Sequence, residues 1–200
     1  SKKTKAVGRA ERNAGRLFSK IPVTPNQWTA LSLIFGGLGF SVSMLYKNLA
    51  ASLVLFFAAF VLDYVDGAVA RYTGRTTHIG AYIDGVSDRF VEAFIILGLM
   101  FYDIPDVLVD SNISLAMQLF LSTMTSYARA YADHKKIVVD QTKLREMGGL
   151  LERFERVFIL LIATASSLYY GAILISYAVI LLNFLAIVTV MQRILYAIRE

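Results

Sequence analysis

Four aspartates fall in a pattern that can do chemistry: Asp63 and Asp66 in the stretch LDYVDGAVAR, and Asp84 and Asp88 in AYIDGVSDR. The members of the first pair are three positions apart and those of the second four, and on a helix either spacing puts both carboxylates on one face. Both stretches adjoin long apolar runs, where an unpaired carboxylate is costly and marks function. Four such groups turned to one cleft repel each other unless cations lie between them. Oxygen-only ligation, in a chain without cysteine, suits hard divalent ions such as Mg2+ or Mn2+. Two ions sharing bridging carboxylates would fit four aspartates, as at two-metal phosphoryl sites. The neighbours match that chemistry. Gly67 follows Asp66, Gly80 stands just ahead of the third span and Gly85 follows Asp84; a missing side chain lets a nucleotide or another backbone come close. Arg71 can pair with a phosphate.

The elements that must position these residues are membrane helices. Six apolar stretches approach the roughly 20 residues a span needs: 28–46, 51–69, 84–102, 113–131, 153–170 and 172–194. The fold expected is an all-α membrane protein of six transmembrane helices, with the aspartates at one end of the second and third. Residues 1–20 read as an amphipathic helix lying in the interface, with Val7, Ala10, Ala14, Leu17 and Phe18 on its apolar face. Residues 21–200 form the catalytic domain. The break IPVTPN separates the two, and Thr24 or Asn26 caps the first span. Gly36, Gly37 and Gly39 let that span pack closely. Tyr46, Tyr102, Tyr131, Tyr169 and Tyr170 stand at span ends as an interfacial belt. The polar connection 133–149 is either a mobile loop near the site or a plain linker.

Composition agrees. The chain is 56% hydrophobic, above the roughly 45–50% of soluble domains. The lack of cysteine excludes disulfides, thiolate catalysis and Cys-based metal sites. The leading segment holds Lys2, Lys3, Lys5, Arg9, Arg12, Arg16 and Lys20. With apolar spans behind it, this segment suits anionic lipid and not nucleic acid, and its basic stretch is too long for a signal peptide. Of the 20 Lys and Arg residues, all but Lys47 fall on one side of a six-span topology. That side is the cytoplasmic one, holding both termini and the aspartates.

The spacing as a whole resembles the signature D-x2-D-G-x2-A-R-x8-G-x3-D-x3-D of the CDP-alcohol phosphotransferases, with Asp63, Asp66, Gly67, Ala70, Arg71, Gly80, Asp84 and Asp88 at every fixed position. The resemblance implies transfer of a phosphoalcohol from a CDP-linked donor to a hydroxyl acceptor, with release of CMP. It implies that Asp63, Asp66 and Asp84 ligate metal, and that Asp88 adds to the metal site and serves as general base. Gly67, Ala70, Gly80 and Arg71, with Asp63, Asp66 and Asp84, belong to the nucleotide pocket, and Thr29 is a further candidate for it. A homodimer is expected on the same ground.

The stretches SYARAYAD and GLLERFER are similar to the members of that family that use inositol phosphate. Arg129, Lys135, Arg153 and Arg193 are the candidates for a phosphate on the acceptor, with Arg156 and Lys136 beside them; Arg129 and Arg156 rank below Arg153 and Arg193, because Glu152 and Glu155 can neutralise nearby arginines. Glycerol phosphate is the competing acceptor. CDP-diacylglycerol and CDP-archaeol both fit as donor. Glu92 is expected to pair with a local cation such as Arg89, and His78 and His134 to be loop or interface residues. A carboxylate-lined cation transporter is the alternative of another class, though no inverted repeat is evident.

Overall fold

Every regular element among the described residues is helical. The computed structural model describes residues 12–138, 140, 143–144 and 147–199. The long helices there are α1 (Pro25–Tyr46), α2 (Leu49–Thr73), α3 (His78–Leu99), α4 (Ser111–His134), α5 (Arg153–Tyr170) and α6 (Ile173–Arg199). Residues 12–18 are helical ahead of them; Val7 and Ala10 lie outside the described residues. By length and composition α1, α2 and α6 can cross a membrane. Helices of that kind mark a membrane protein. The other three carry more polar side chains: α3 holds Asp84, Asp88, Arg89 and Glu92, and α5 opens on Arg-Phe-Glu-Arg.

Helix ends depart from the sequence expectation where a capping group acts. Thr24, not Asn26, is the N-cap of α1, and its N–H donates to Gln27 Oε1 at 2.8 Å. α2 begins at Leu49 because the Asn48 side chain accepts the Ala51 N–H at 3.0 Å. It runs on to Thr73, where Gly74 (φ 65°) ends it in the left-handed conformation. α3 starts at His78 because the Thr77 hydroxyl accepts the Gly80 N–H at 2.9 Å. Gly80 therefore lies within the first turn of the helix and not ahead of it.

The chain divides into two compact units, Ser1–Ile95 and Ile96–Glu200. In the first, α1 packs on α2 and α3 through glycine. A Cβ at Gly39 would stand 2.7 Å from the Phe56 ring, and one at Gly36 would stand 3.2 Å from Phe94. Gly37 takes no part, since the Phe94 ring comes no nearer than 4.0 Å to a Cβ built there. Gly39→Val is expected to destabilise the protein by about 1–3 kcal/mol, seen as a lower unfolding midpoint in detergent, and Gly37→Val to leave the midpoint unchanged. Trp28, Val65 and Val69 form a buried cluster at the other end, covered by Phe18, whose ring meets Trp28 edge-on at 5.7 Å. The helical stretch 12–18 lies against α2 there: a Cβ at Gly15 would stand 2.6 Å from the Ala68 carbonyl oxygen. Leu17, placed on the same apolar face by the sequence, is exposed.

In the second unit α6 packs on α4 and α5. Ser114, Gln118, Ser122 and Thr125 are buried along one face of α4, a polar seam of the type that holds helices together where apolar surface gives no driving force. Asn183 Nδ2 donates to the Ser114 carbonyl at 2.9 Å. The described part of the 133–149 connection is anchored, with Val138 and Met147 buried beside Ala132 and the end of α6.

Candidate active site

The site in the first unit is built from two facing helix ends. The last turns of α2 carry Asp63, Asp66, Gly67, Ala70 and Arg71, and the first turns of α3 carry Gly80, Asp84 and Asp88. Asp63, Asp84 and Asp88 each offer a carboxylate oxygen, and these oxygens lie within 4.8 Å of one another. Octahedral coordination at about 2.1 Å spans about 4.2 Å between opposite ligands, so the three oxygens need to close by no more than about 0.6 Å to ligate a small hard cation. All three are half-buried. Arg89 Nη1 lies 3.4 Å from Asp88 Oδ2 and donates to the Gly85 carbonyl at 2.6 Å. Glu92, one turn on from Asp88, is buried.

Asp66 stands apart from this trio. It is 2% exposed, and its Oδ2 accepts the Thr29 hydroxyl at 2.5 Å. Its Oδ1 is buried and has no hydrogen-bond donor among the described residues. A buried anionic oxygen in that condition is costly until a cation or donor meets it. The donor set, all oxygen, and this unmet oxygen together fit divalent metal.

Beside the carboxylates is a cleft of about 110 Å³ that opens to solvent. Thr29, Asp66, Gly67, Ala70, Arg71, Gly80 and Asp84 all line it. The structure thus brings every residue assigned to the nucleotide except Asp63 onto one wall system, with Asp84 common to the cleft and the trio. The Arg71 guanidinium folds over Gly67, where a Cβ would stand 3.0 Å from Nη2. Gly80 leaves room for Thr77 and Asn26, whose Oδ1 would lie 3.5 Å from a Cβ there. Gly85 has a different setting, with only the Arg89 tip within reach at 3.8 Å.

The cleft also includes Arg75 and Thr77, which the sequence reading did not single out. Both sit in the x8 gap of the signature, where spacing carries no information about side-chain type. The one signal for Thr77 is a hydroxyl three residues ahead of a glycine, and it points to a cap only once the helix start is known.

The acceptor candidates belong to the second unit, with α4, α5 and α6. Arg193 is buried and donates to the carbonyls of Thr125 and, at 3.4 Å, Gly148; its Nη2 is 3.9 Å from Glu152 Oε1. Arg156, a secondary candidate from sequence, is also buried and donates to the Thr125 hydroxyl at 3.1 Å. The two guanidinium groups are thus gathered at one residue, Thr125, which a hydroxyl in an apolar run gave no reason to pick. Arg153 is half-buried at the start of α5 and Arg129 half-buried on α4. Lys135 is exposed beyond α4, with Nζ 5.3 Å from the Tyr131 ring centre, and Lys136 beside it is exposed too.

A family model described as CDP-alcohol phosphatidyltransferase matches residues 22–194. A phosphatidylinositol phosphate synthase of Corynebacterium glutamicum is 33% identical over 157 residues, covering 74% of this chain and 65% of the relative. An archaetidylinositol phosphate synthase of Pyrococcus horikoshii is 29% identical over 180 residues, covering 90% and 86%. A solved structure of Mycobacterium tuberculosis phosphatidylinositol phosphate synthase with CDP-DAG bound has a TM-score of 0.73 and 25% identity, covering 94% of each chain. The same synthase in complex with manganese and citrate gives a TM-score of 0.75 at 24% identity, covering 94% of this chain and 88% of the other.

Proposed function

The chain belongs to the CDP-alcohol phosphatidyltransferase family, and we propose that it moves a phosphorylated lipid from a CDP-linked donor to inositol phosphate, with release of CMP. The observation that carries this reading is the convergence of the nucleotide residues on one cleft that shares Asp84 with the carboxylate trio. Relatives named for phosphatidylinositol phosphate and archaetidylinositol phosphate synthesis support the acceptor. The solved relative with CDP-DAG bound supports a CDP-linked lipid as donor, and CDP-diacylglycerol and CDP-archaeol are the two candidates.

Asp63, Asp66 and Asp84 would hold the divalent metal, with Asp88 adding to that site as the weaker ligand, and the solved relative with manganese supports that role. Mg2+ or Mn2+, two ions in the full site, neutralises the diphosphate and stabilises charge on the leaving CMP when bound. Thr29, Gly67, Ala70, Arg71 and Gly80, with Asp63, Asp66 and Asp84, receive the cytidine diphosphate. The small side chains let its backbone-hugging part approach, and Arg71 pairs with a phosphate. Asp88 takes the proton of the acceptor hydroxyl as that oxygen attacks the phosphorus bearing the lipid. The bond from that phosphorus to CMP breaks, and CMP leaves with the electron pair.

The acceptor's own phosphate is held by arginine, with Arg193 and Arg153 as the first candidates and Arg129 and Lys135 as further ones. Arg156, which shares Thr125 with Arg193, joins them. All six long helices span the membrane, with residues 1–20 as an interfacial helix and residues 21–200 as the catalytic domain. Both termini and the active site face the cytoplasm, following the basic residues. The working form is a homodimer.

The test is CMP release from purified protein with CDP-diacylglycerol, Mn2+ or Mg2+, and a panel of inositol phosphate, glycerol phosphate, inositol and serine. Turnover with inositol phosphate alone is expected. Turnover with glycerol phosphate instead would move the acceptor, and no CMP with any acceptor would sink the enzyme reading. Metal flux in proteoliposomes without CMP release would point to a transporter. Arg193→Ala is expected to raise the KM for inositol phosphate about 10–100-fold, the scale of one charged phosphate contact, while the KM for the CDP-linked lipid stays put.

A further inference from the structure

We propose that Thr29 is a positioning residue for Asp66, fixing that carboxylate so that its Oδ1 is presented to the metal. The inference rests on the metal reading above and gives Thr29 a task other than touching the nucleotide.

The bond concerned joins two helices. Thr29 lies on α1 and Asp66 on α2, 37 positions apart in the chain, and both are buried at 4% and 2% exposure. A threonine inside a helix ordinarily turns its hydroxyl to the carbonyl four residues back. Thr29 has that acceptor at hand, Pro25 O, at 3.2 Å, yet Asp66 Oδ2 lies at 2.5 Å. A hydroxyl has one proton, and an ionised carboxylate is the stronger acceptor. The proton therefore points to Asp66.

The consequence falls on the other oxygen. With Oδ2 tied to α1, the plane of the carboxylate is set, and the direction of Oδ1 is set with it. Oδ1 is the oxygen that is buried without a donor among the described residues. Branching at Cβ restricts the rotamers of threonine, so the donor itself is stiff. Asp66 is thus divided in function: one oxygen is fixed by protein, the other left for a cation. Groups that orient a metal ligand from outside the coordination shell commonly change metal affinity about 10–100-fold when removed.

Mn2+ titration followed by electron paramagnetic resonance, on purified protein without nucleotide, reads this directly. Thr29→Val keeps the shape and removes the proton; it is expected to weaken Mn2+ binding about tenfold. Thr29→Ser keeps the hydroxyl and is expected to bind within about twofold of the unaltered protein. In turnover, the Mn2+ concentration for half-maximal rate should shift with Thr29→Val by the same factor. Unaltered Mn2+ affinity in Thr29→Val would overturn the proposal, and so would a Thr29→Ser protein as weak as Thr29→Val. Failure of the unaltered protein to bind Mn2+ would overturn the metal reading itself, which separates the two outcomes.

Discussion

Asp88→Asn is expected to lower the rate of CMP release about 10³-fold, in the range a positioned general base contributes, while Mn2+-dependent CDP binding stays within about threefold. The asparagine keeps the shape of the side chain and removes its charge and its capacity to accept a proton. The geometry separates these effects. Asp88 belongs to the carboxylate trio, but the cleft is lined without it. The residues that receive the nucleotide therefore keep their places in the variant. Arg89, 3.4 Å from Asp88 Oδ2, is also anchored to the Gly85 carbonyl and has a second hold when the charge is removed. Single-turnover CMP release and equilibrium CDP binding, measured on the same preparation, give the two numbers. Parallel loss of both would make Asp88 chiefly a metal ligand and leave the general base elsewhere.

How much of this site the sequence disclosed depends on the kind of information each residue carries. Asp63, Asp66, Asp84 and Asp88 were legible because a carboxylate in an apolar run has few structural uses, and helical spacing fixes which of them share a face. The glycines were legible as absences of bulk but not in their partners. Gly67 makes room for the Arg71 side chain and Gly39 for Phe56, and no periodicity names either neighbour. The early start of α3 was hidden because Thr77 caps it from inside a polar stretch that reads as loop. Gly80 moved from a connection into a helix for that reason. Among the basic residues, sequence ranked Arg156 below Arg153, since Glu152 and Glu155 stand beside it. In the fold Arg156 is turned inward to Thr125, a contact across 31 positions that only the tertiary arrangement decides.

Asp84→Asn is expected to behave differently from Asp88→Asn, losing metal and nucleotide together. Asp84 is the residue that the trio and the cleft have in common. Its carboxylate lies within reach of Asp63 and Asp88 on one side and opens on the space bounded by Gly67, Ala70 and Gly80 on the other. Neutralising it removes a charged ligand. Changes in groups one shell further out cost about 10–100-fold in metal affinity, so this one is expected to cost at least about 100-fold. CDP binding that depends on Mn2+ should then fall to the level seen with chelator present, and turnover should be undetectable. The measurement is a paired titration: Mn2+ against protein, then CDP against protein with and without Mn2+. Retained Mn2+ affinity would show that Asp63, Asp66 and Asp88 suffice to hold the ion. Retained CDP binding without Mn2+ would show that the nucleotide is held by Arg71 and the cleft walls, with the carboxylates serving the chemical step alone. The contrast between the two aspartates, four positions apart on one helix face, therefore tests whether binding and proton transfer are divided along α3.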